Sequence, residues 1–248
     1  MREKLQNVGL PLIFWLLIWE LAARWVGKEL ILPSPEAVAR TLADLAGEED
    51  FWRSAAASLL RILVGFGVGA GLGTALGAAT AASRWCDRLF SPALRAVRTV
   101  PVVSFILLLY FSLPTARVPV AVAALMAMPV VWRSARQGIA AADPLLLELA
   151  GAYRFGRFKT FWLVYLPAAA PALTAGWETA LGLAWKSGVA AEVLCQPRWA
   201  AGTGLQSAKA YLDTSGVVAW TVVIVLMSLA AEGVLKGALR RWKGGYTA

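Results

Sequence analysis

Long apolar runs broken by short polar segments dominate this chain. They fall at about residues 8–27, 55–80, 94–113, 117–133, 168–195 and 217–239, each close to the ~20 residues a helix needs to cross a bilayer. The pattern predicts an all-α integral membrane fold of six transmembrane helices, a single domain over 1–248. Two interruptions carry structure of their own. In PEAVARTLADLAGEEDFW (about 35–52) the apolar residues Val38, Leu42 and Leu45 recur at helical spacing. Ser34 suits the N-cap and Pro35 the first turn. The second interruption, about 134–167, ends in a polar, basic island, ELAGAYRFGRFKTFWLVYLP (148–167), lodged between two apolar runs.

The first run follows Arg2 and Lys4, as in a signal peptide. It is longer than a usual signal core, and no A-x-A site precedes a polar mature sequence. It is read as an uncleaved span.

Composition narrows the class. Apolar residues make up 59% of the chain and charged residues 16%, far from a soluble domain. The net charge of +9 would suit nucleic acid, but its distribution follows topology instead. With the N-terminus inside, the inner segments carry Arg2, Lys4, Arg84, Arg88, Arg95, Arg98, Arg133, Arg136, Arg154, Arg157, Lys159, Lys236, Arg240, Arg241 and Lys243. The outer segments and helix ends carry Arg24, Lys28, Arg40, Arg53, Arg61, Arg117, Arg198 and Lys209. The excess lies inside, as the positive-inside rule requires. Both termini and the 134–167 loop are therefore predicted to be cytoplasmic, and the 35–52 helix external.

Several chemistries drop out. The chain has no histidine, which removes His-based proton relays, metal sites and catalytic triads. Cys86 and Cys195 fall on opposite sides of the predicted membrane, so neither a disulfide nor a zinc cluster is expected. Neither G-x-G-x-x-G nor a Walker A motif is present. No catalytic residues, cofactor or metal are expected in this chain, and a membrane-embedded enzyme lacks a constellation to work with.

Gly65, Gly69, Gly73 and Gly77 recur every fourth residue of the second span, one helical face on which a second helix can approach closely. Charges inside apolar runs are expensive in lipid and face protein or water. Glu20 and Glu232 each have a cation four residues on (Arg24, Lys236), and pairing is expected for both. The fifth span differs. Glu178 and Lys186 stand ~12 Å apart along the helix and ~80° around it, so both can face one cavity. Lys186 either adds positive potential to a translocation path for an anionic or polar solute, or pairs with a glutamate of another span. With Trp185 and Glu192 they are the candidates for the pore.

An organised helical element in a loop of a membrane protein points to a docking partner. Phe155, Phe158 and Phe161 are spaced by three, as on one helical face, and such aromatics are frequent interface anchors. The basic residues Arg154, Arg157 and Lys159 either meet acidic groups of a partner or simply obey topology.

In collinear order, Ile18-Trp19-Glu20-Leu21, LPSP at 32–35, SLLRILVGFGVGAGLGTALG at 58–77, Pro101, the 148–167 island, GLAWKSGVAAEVL at 182–194 and Gly202-Thr203-Gly204-Leu205 resemble one family. It is the permease subunit of bacterial ABC importers, of the nitrate/sulfonate/taurine type. The island resembles that family's cytoplasmic EAA loop, with Glu148 and Ala150 at its start and Leu166-Pro167 at its end. The resemblance implies that Glu148, Ala150, Gly151, Arg154, Phe155, Phe158, Leu166 and Pro167 couple to an ATPase. The family has glycine six residues after the glutamate. Here Arg154 takes that place, with glycines at 151 and 156, so the bend is expected elsewhere.

The resemblance further implies two ATPase subunits that bind ATP and Mg, a second permease copy as homodimer, and an external substrate-binding protein, all at the bacterial cytoplasmic (inner) membrane. The expected cargo is a small polar or anionic solute: sulfonate, taurine, nitrate or a vitamin precursor. The alternative reading is an ion-coupled secondary transporter or channel subunit, which requires an inverted repeat and its own coupling-ion site.

Overall fold

The computed structural model describes residues 2–244. Met1 and residues 245–248, assigned above with the termini to the cytoplasm, lie outside the described residues. Among the described residues the chain is all helical, in the order α1 (Arg2–Val26), α2 (Pro35–Ala46), α3 (Glu49–Ala82), α4 (Arg84–Thr99), α5 (Val102–Ser112), α6 (Val118–Ala140), α7 (Pro144–Ala152), α8 (Arg157–Thr160), α9 (Leu166–Cys195), α10 (Ala201–Ala210) and α11 (Thr214–Gly244). A π-helical turn, Phe161–Tyr165, leads into α9.

By length and composition α1, α3, α6 and α11 can each cross a membrane, and a fifth span arises if α4 and α5 are counted together. The 30-residue α9 is long enough, but the charged Glu178, Lys186 and Glu192 interrupt its apolar sequence. A helix that packs mainly against protein tolerates this, and α9 buries residues along its whole length, from Ala169 to Cys195.

The expected third span, 94–113, is not one helix. α4 stops at Thr99, and α5 leaves at 103° to it. Pro101 is the cause: its ring holds the preceding Val100 extended (φ −75°, ψ 132°), and it has no N–H to continue the ladder. The fourth span, placed at 117–133, runs on as helix to Ala140, so the loop begins seven residues later than expected. The 35–52 helix divides: α2 ends at Gly47, whose N–H closes on Asp44 O at 3.1 Å, and Glu49 to Trp52 already belong to α3. At the start of α2, Ser34 Oγ accepts from Ala37 N at 3.2 Å.

By internal contacts the chain forms two compact units. The first comprises the chain up to Ser58 together with Arg198–Leu226. In it Trp19 Nε1 donates to Pro33 O at 3.0 Å, Thr214 Oγ1 to Leu30 O at 2.6 Å, and Ala201 N to Ser58 Oγ at 2.8 Å. These bonds satisfy loop carbonyls and a helix start that would otherwise be unpaired. Phe51 packs on Trp220 with ring centroids 5.1 Å apart.

The second unit comprises Leu59–Pro197 and the chain from Met227. Its centre is α6, which runs along α9 and beside the glycine face of α3. A Cβ on Gly65, Gly69, Gly73 or Gly77 would collide with the backbone of α6 at Val120, Ala124, Met128 and Trp132 in turn. Four successive turns of α3 are thus in backbone contact with α6. Gly138 lies likewise on Ala169, and Gly176 on Ser134. Toward one end, Ile106, Val118, Val122, Met126, Ala191 and Cys195 close a buried cluster from α5, α6 and α9.

Candidate functional site

The loop between α6 and α9 is built by its caps. Asp143 starts α7: its Oδ1 accepts from Leu145 N at 2.9 Å, and Pro144 occupies the first helical position. The end is a Schellman motif. Phe155 N donates to Ala150 O at 2.8 Å and Arg154 N to Gly151 O at 3.0 Å, the paired bonds of that turn. It requires a left-handed residue, and Arg154 takes it with φ +51°. The bend therefore sits at Arg154 itself, the position where the resembling loops carry glycine, and not at Gly151 or Gly156. The arginine bears the strain that glycine would avoid.

This turn also fixes Phe155. In a Schellman motif the residue after the left-handed one packs back onto the helix, and Phe155 lies against the buried cluster of Ala142, Ala150 and Val164. Phe155, Phe158 and Phe161 consequently do not share a helical face, because the chain leaves α7 before Phe155 and re-enters helix at Arg157. Lys159 Nζ covers the Phe155 ring at 4.1 Å.

What the loop exposes is different. Leu145, Leu149 and Tyr153 are 70%, 55% and 71% exposed, at i, i+4 and i+8 of one side of α7, and Phe158 is 77% exposed on α8. Glu148 and Gly151 are exposed with them, Ala150 is buried, Leu166 is half-buried and Pro167 exposed. Exposed large apolar side chains on both short helices of the loop, interspersed in sequence with the exposed Glu148, Arg154 and Arg157, have the make-up of an interface.

The pore candidates separate into two groups on α9. Trp185 and Glu192 are buried. The Trp185 indole N–H has no hydrogen-bond partner among the described residues. Glu192 Oε1 accepts from Arg61 Nη1 at 3.3 Å, with the Glu192 side chain 0% and Arg61 16% exposed. Arg61, counted above with the outer helix ends, is thus an interior residue that the sequence reading did not single out. Lys186 lies on the exposed side of α9 and Glu178 is half-buried, and the two form no ion pair with each other. The expected helical pairs are present, Arg24 with Glu20 at 2.6 Å and Lys236 with Glu232 at 3.7 Å.

Residues 67–243 match the family described as binding-protein-dependent transport system inner membrane component. The chain belongs to this family. It is an ABC importer permease of the sulfonate/taurine group, a multi-pass membrane protein and not an enzyme. It is 32% identical to the putative aliphatic sulfonates transport permease protein SsuC of Escherichia coli (strain K12), over 92% of this chain and 89% of that one. It is 28% identical to the taurine transport system permease protein TauC of the same organism, over 98% and 91%. It is also 32% identical to the riboflavin transport system permease protein RibX of Chloroflexus aurantiacus, over 95% and 90%.

Among solved structures, an amino acid ABC transporter crystallised with histidines superposes with a TM-score of 0.59 at 18% identity, covering 74% of this chain and 90% of that one. The inward-facing MetNI methionine ABC transporter gives 0.56 at 15%, covering 75% and 93%. At these identities the likeness is one of fold.

Proposed function

We propose that this permease forms half of a translocation pore as a homodimer, and that two ATPase subunits drive it through the 148–167 loop. A separate external protein delivers a small polar or anionic solute of the sulfonate, taurine, nitrate or vitamin-precursor class. ATP and Mg are bound by the ATPase. The observation that carries this reading is the exposed apolar side of α7 and α8, held rigid by the Asp143 cap and the Schellman turn. A rigid element transmits a displacement of its partner to the spans on either side of it, α6 and α9, the hinge-type switching between inward-open and outward-open states. Solute names borne by the relatives support the cargo class, and the charge distribution supports a cytoplasmic loop.

Co-expression of the permease with its cognate ATPase tests the reading. Glu148→Arg and Phe158→Arg should each release the ATPase during purification and abolish ATP-driven uptake in proteoliposomes, with membrane insertion intact. Wild-type copurification together with wild-type uptake in both variants would sink it.

A further inference from the structure

The arginines at one end of the second unit are folded around a cleft. On α4, positions 84, 87, 88, 91, 95 and 98 fall within an arc of roughly 100°, so four arginines share a face with Asp87 and Ser91. That face is turned onto the end of α6. Arg136 Nη2 donates to Asp87 Oδ2 at 2.9 Å and Nη1 to Ser91 Oγ at 3.4 Å, while Ser91 Oγ donates to Asp87 Oδ1. The Arg136 guanidinium also lies over the Trp132 ring, 5.9 Å from its centroid. The carboxylate of the cleft is therefore already engaged.

Beside this wall lies a cavity of 590 Å³ into which Arg95, Arg98, Arg133 and Gln137 face. A neighbouring cavity of 320 Å³ shares Arg98, Arg133 and Gln137. Arg95 is held by its Nε bond to Ser91 O at 3.2 Å. Arg98 and Arg133 make no hydrogen bond or ion pair among the described residues. Two guanidinium forks and an amide thus converge on one concave space with donors to spare, an arrangement that matches the oxygens of a phosphate.

The other side of α4 indicates where that phosphate comes from. Trp85 is 72% exposed, Leu89 54% and Phe90 37%, and they lie away from the arginine face. A helix with a basic side, an exposed Trp/Leu/Phe side and low overall hydropathy is suited to the membrane interface, the level at which lipid phosphates lie. Basic pockets between membrane helices are ready sites for lipid headgroups.

We propose that the cleft between α4 and α6 binds the phosphate headgroup of an anionic phospholipid. Arg98 and Arg133 contact it directly, Gln137 donates beside them, and the Arg136–Asp87–Ser91 network is the fixed wall. The bound headgroup ties α4 to α6 across the Pro101 bend. The site is independent of the transported solute and of the loop that meets the ATPase.

The test uses the full-length permease in its detergent-purified complex, titrated with phosphatidylglycerol or phosphatidylcholine and read by native mass spectrometry and thermal denaturation. Phosphatidylglycerol should be retained and should raise the melting temperature; phosphatidylcholine should do neither. Each of Arg98→Gln and Arg133→Gln should weaken binding about fivefold and the pair about 25-fold, whereas Arg240→Gln, the same charge loss on α11 outside both the cleft and the 148–167 loop, should leave it unchanged. The double lysine variant keeps both charges without the fork and should bind several-fold more weakly. Equal binding of both lipids, or wild-type binding by the double lysine or double glutamine variant, would overturn the site. Millimolar inorganic phosphate that reproduces the stabilisation and displaces the lipid would show a free anion to be the ligand and overturn the lipid assignment. None of these readouts involves ATP hydrolysis or uptake, so failure here is separable from failure of the proposed coupling.

Discussion

Arg61 on α3 and Glu192 on α9 meet at 3.3 Å across 131 positions of sequence. Gly188 makes the meeting possible: a Cβ there would press on Ile62 at 2.8 Å, so its absence lets α3 seat against α9 one turn from Glu192. Removing one partner of a buried pair strands the other charge, at about 3–5 kcal/mol. Arg61→Met or Glu192→Gln alone should therefore lower the melting temperature of the purified permease sharply, and the double variant should recover most of the loss. Additive losses in the double variant would show that the two residues stabilise the fold separately.

The glycines of α3 make a contrasting set within one helix. Gly69 and Gly73 lie against the α6 backbone, while Gly67 and Gly71 have nothing within 4 Å of a built Cβ. Gly69→Ala and Gly73→Ala should each destabilise by about 1–3 kcal/mol through overpacking. Gly67→Ala and Gly71→Ala should be neutral or slightly stabilising, since alanine is the better helix former by about 1 kcal/mol. Thermal unfolding of the four variants in one detergent distinguishes the two faces; a uniform response would contradict the packing described.

Local spacing made some of this legible. The four-residue glycine period is a property of one helix, so the close face of α3 was readable before its neighbour was known. So was Ser34, whose cap depends on the next three residues. The Arg61–Glu192 pair was not, because no local rule links residues on separate spans. The apolar content of 94–113 masked the break at Pro101, where the restriction on Val100 outweighs composition. The phenylalanine spacing misled because periodicity presumes a continuous helix, and the left-handed turn at Arg154 ends it.

Arg154 holds φ +51°, where a side chain costs about 1–2 kcal/mol relative to glycine. Arg154→Gly should therefore raise the melting temperature of the complex modestly, and Arg154→Val should lower it. If the Arg154 guanidinium also contacts the ATPase, the glycine variant will be more stable yet copurify less ATPase, which a parallel pull-down reads directly.

Phe155 and Phe158 stand three residues apart in different environments. Phe155 packs on Ala150 and Val164, whereas Phe158 is exposed. Phe158→Ala should weaken ATPase association about tenfold or more, the usual size of a hot-spot truncation, with unchanged permease stability. Phe155→Ala should destabilise the permease by about 3 kcal/mol or more and reduce coupling only through that loss. Titration of purified ATPase against each variant, alongside thermal unfolding, separates the roles. Equal behaviour of the two would mean that the loop is reorganised when the ATPase docks.

Lys186 is the remaining charge of α9. Glu192, six residues on, is held by Arg61, and Lys186 forms no ion pair among the described residues. It lies on the exposed side of the helix, where a charge facing lipid at mid-membrane would cost about 2.5–3.5 kcal/mol. A water-filled path or a second copy of the permease provides a better environment. A basic residue on such a path favours passage of an anion. Lys186→Met should leave complex yield and melting temperature near wild type and reduce uptake of an anionic solute several-fold, with a smaller effect on a neutral one. Loss of the complex on this single change would instead place Lys186 at a structural charged contact.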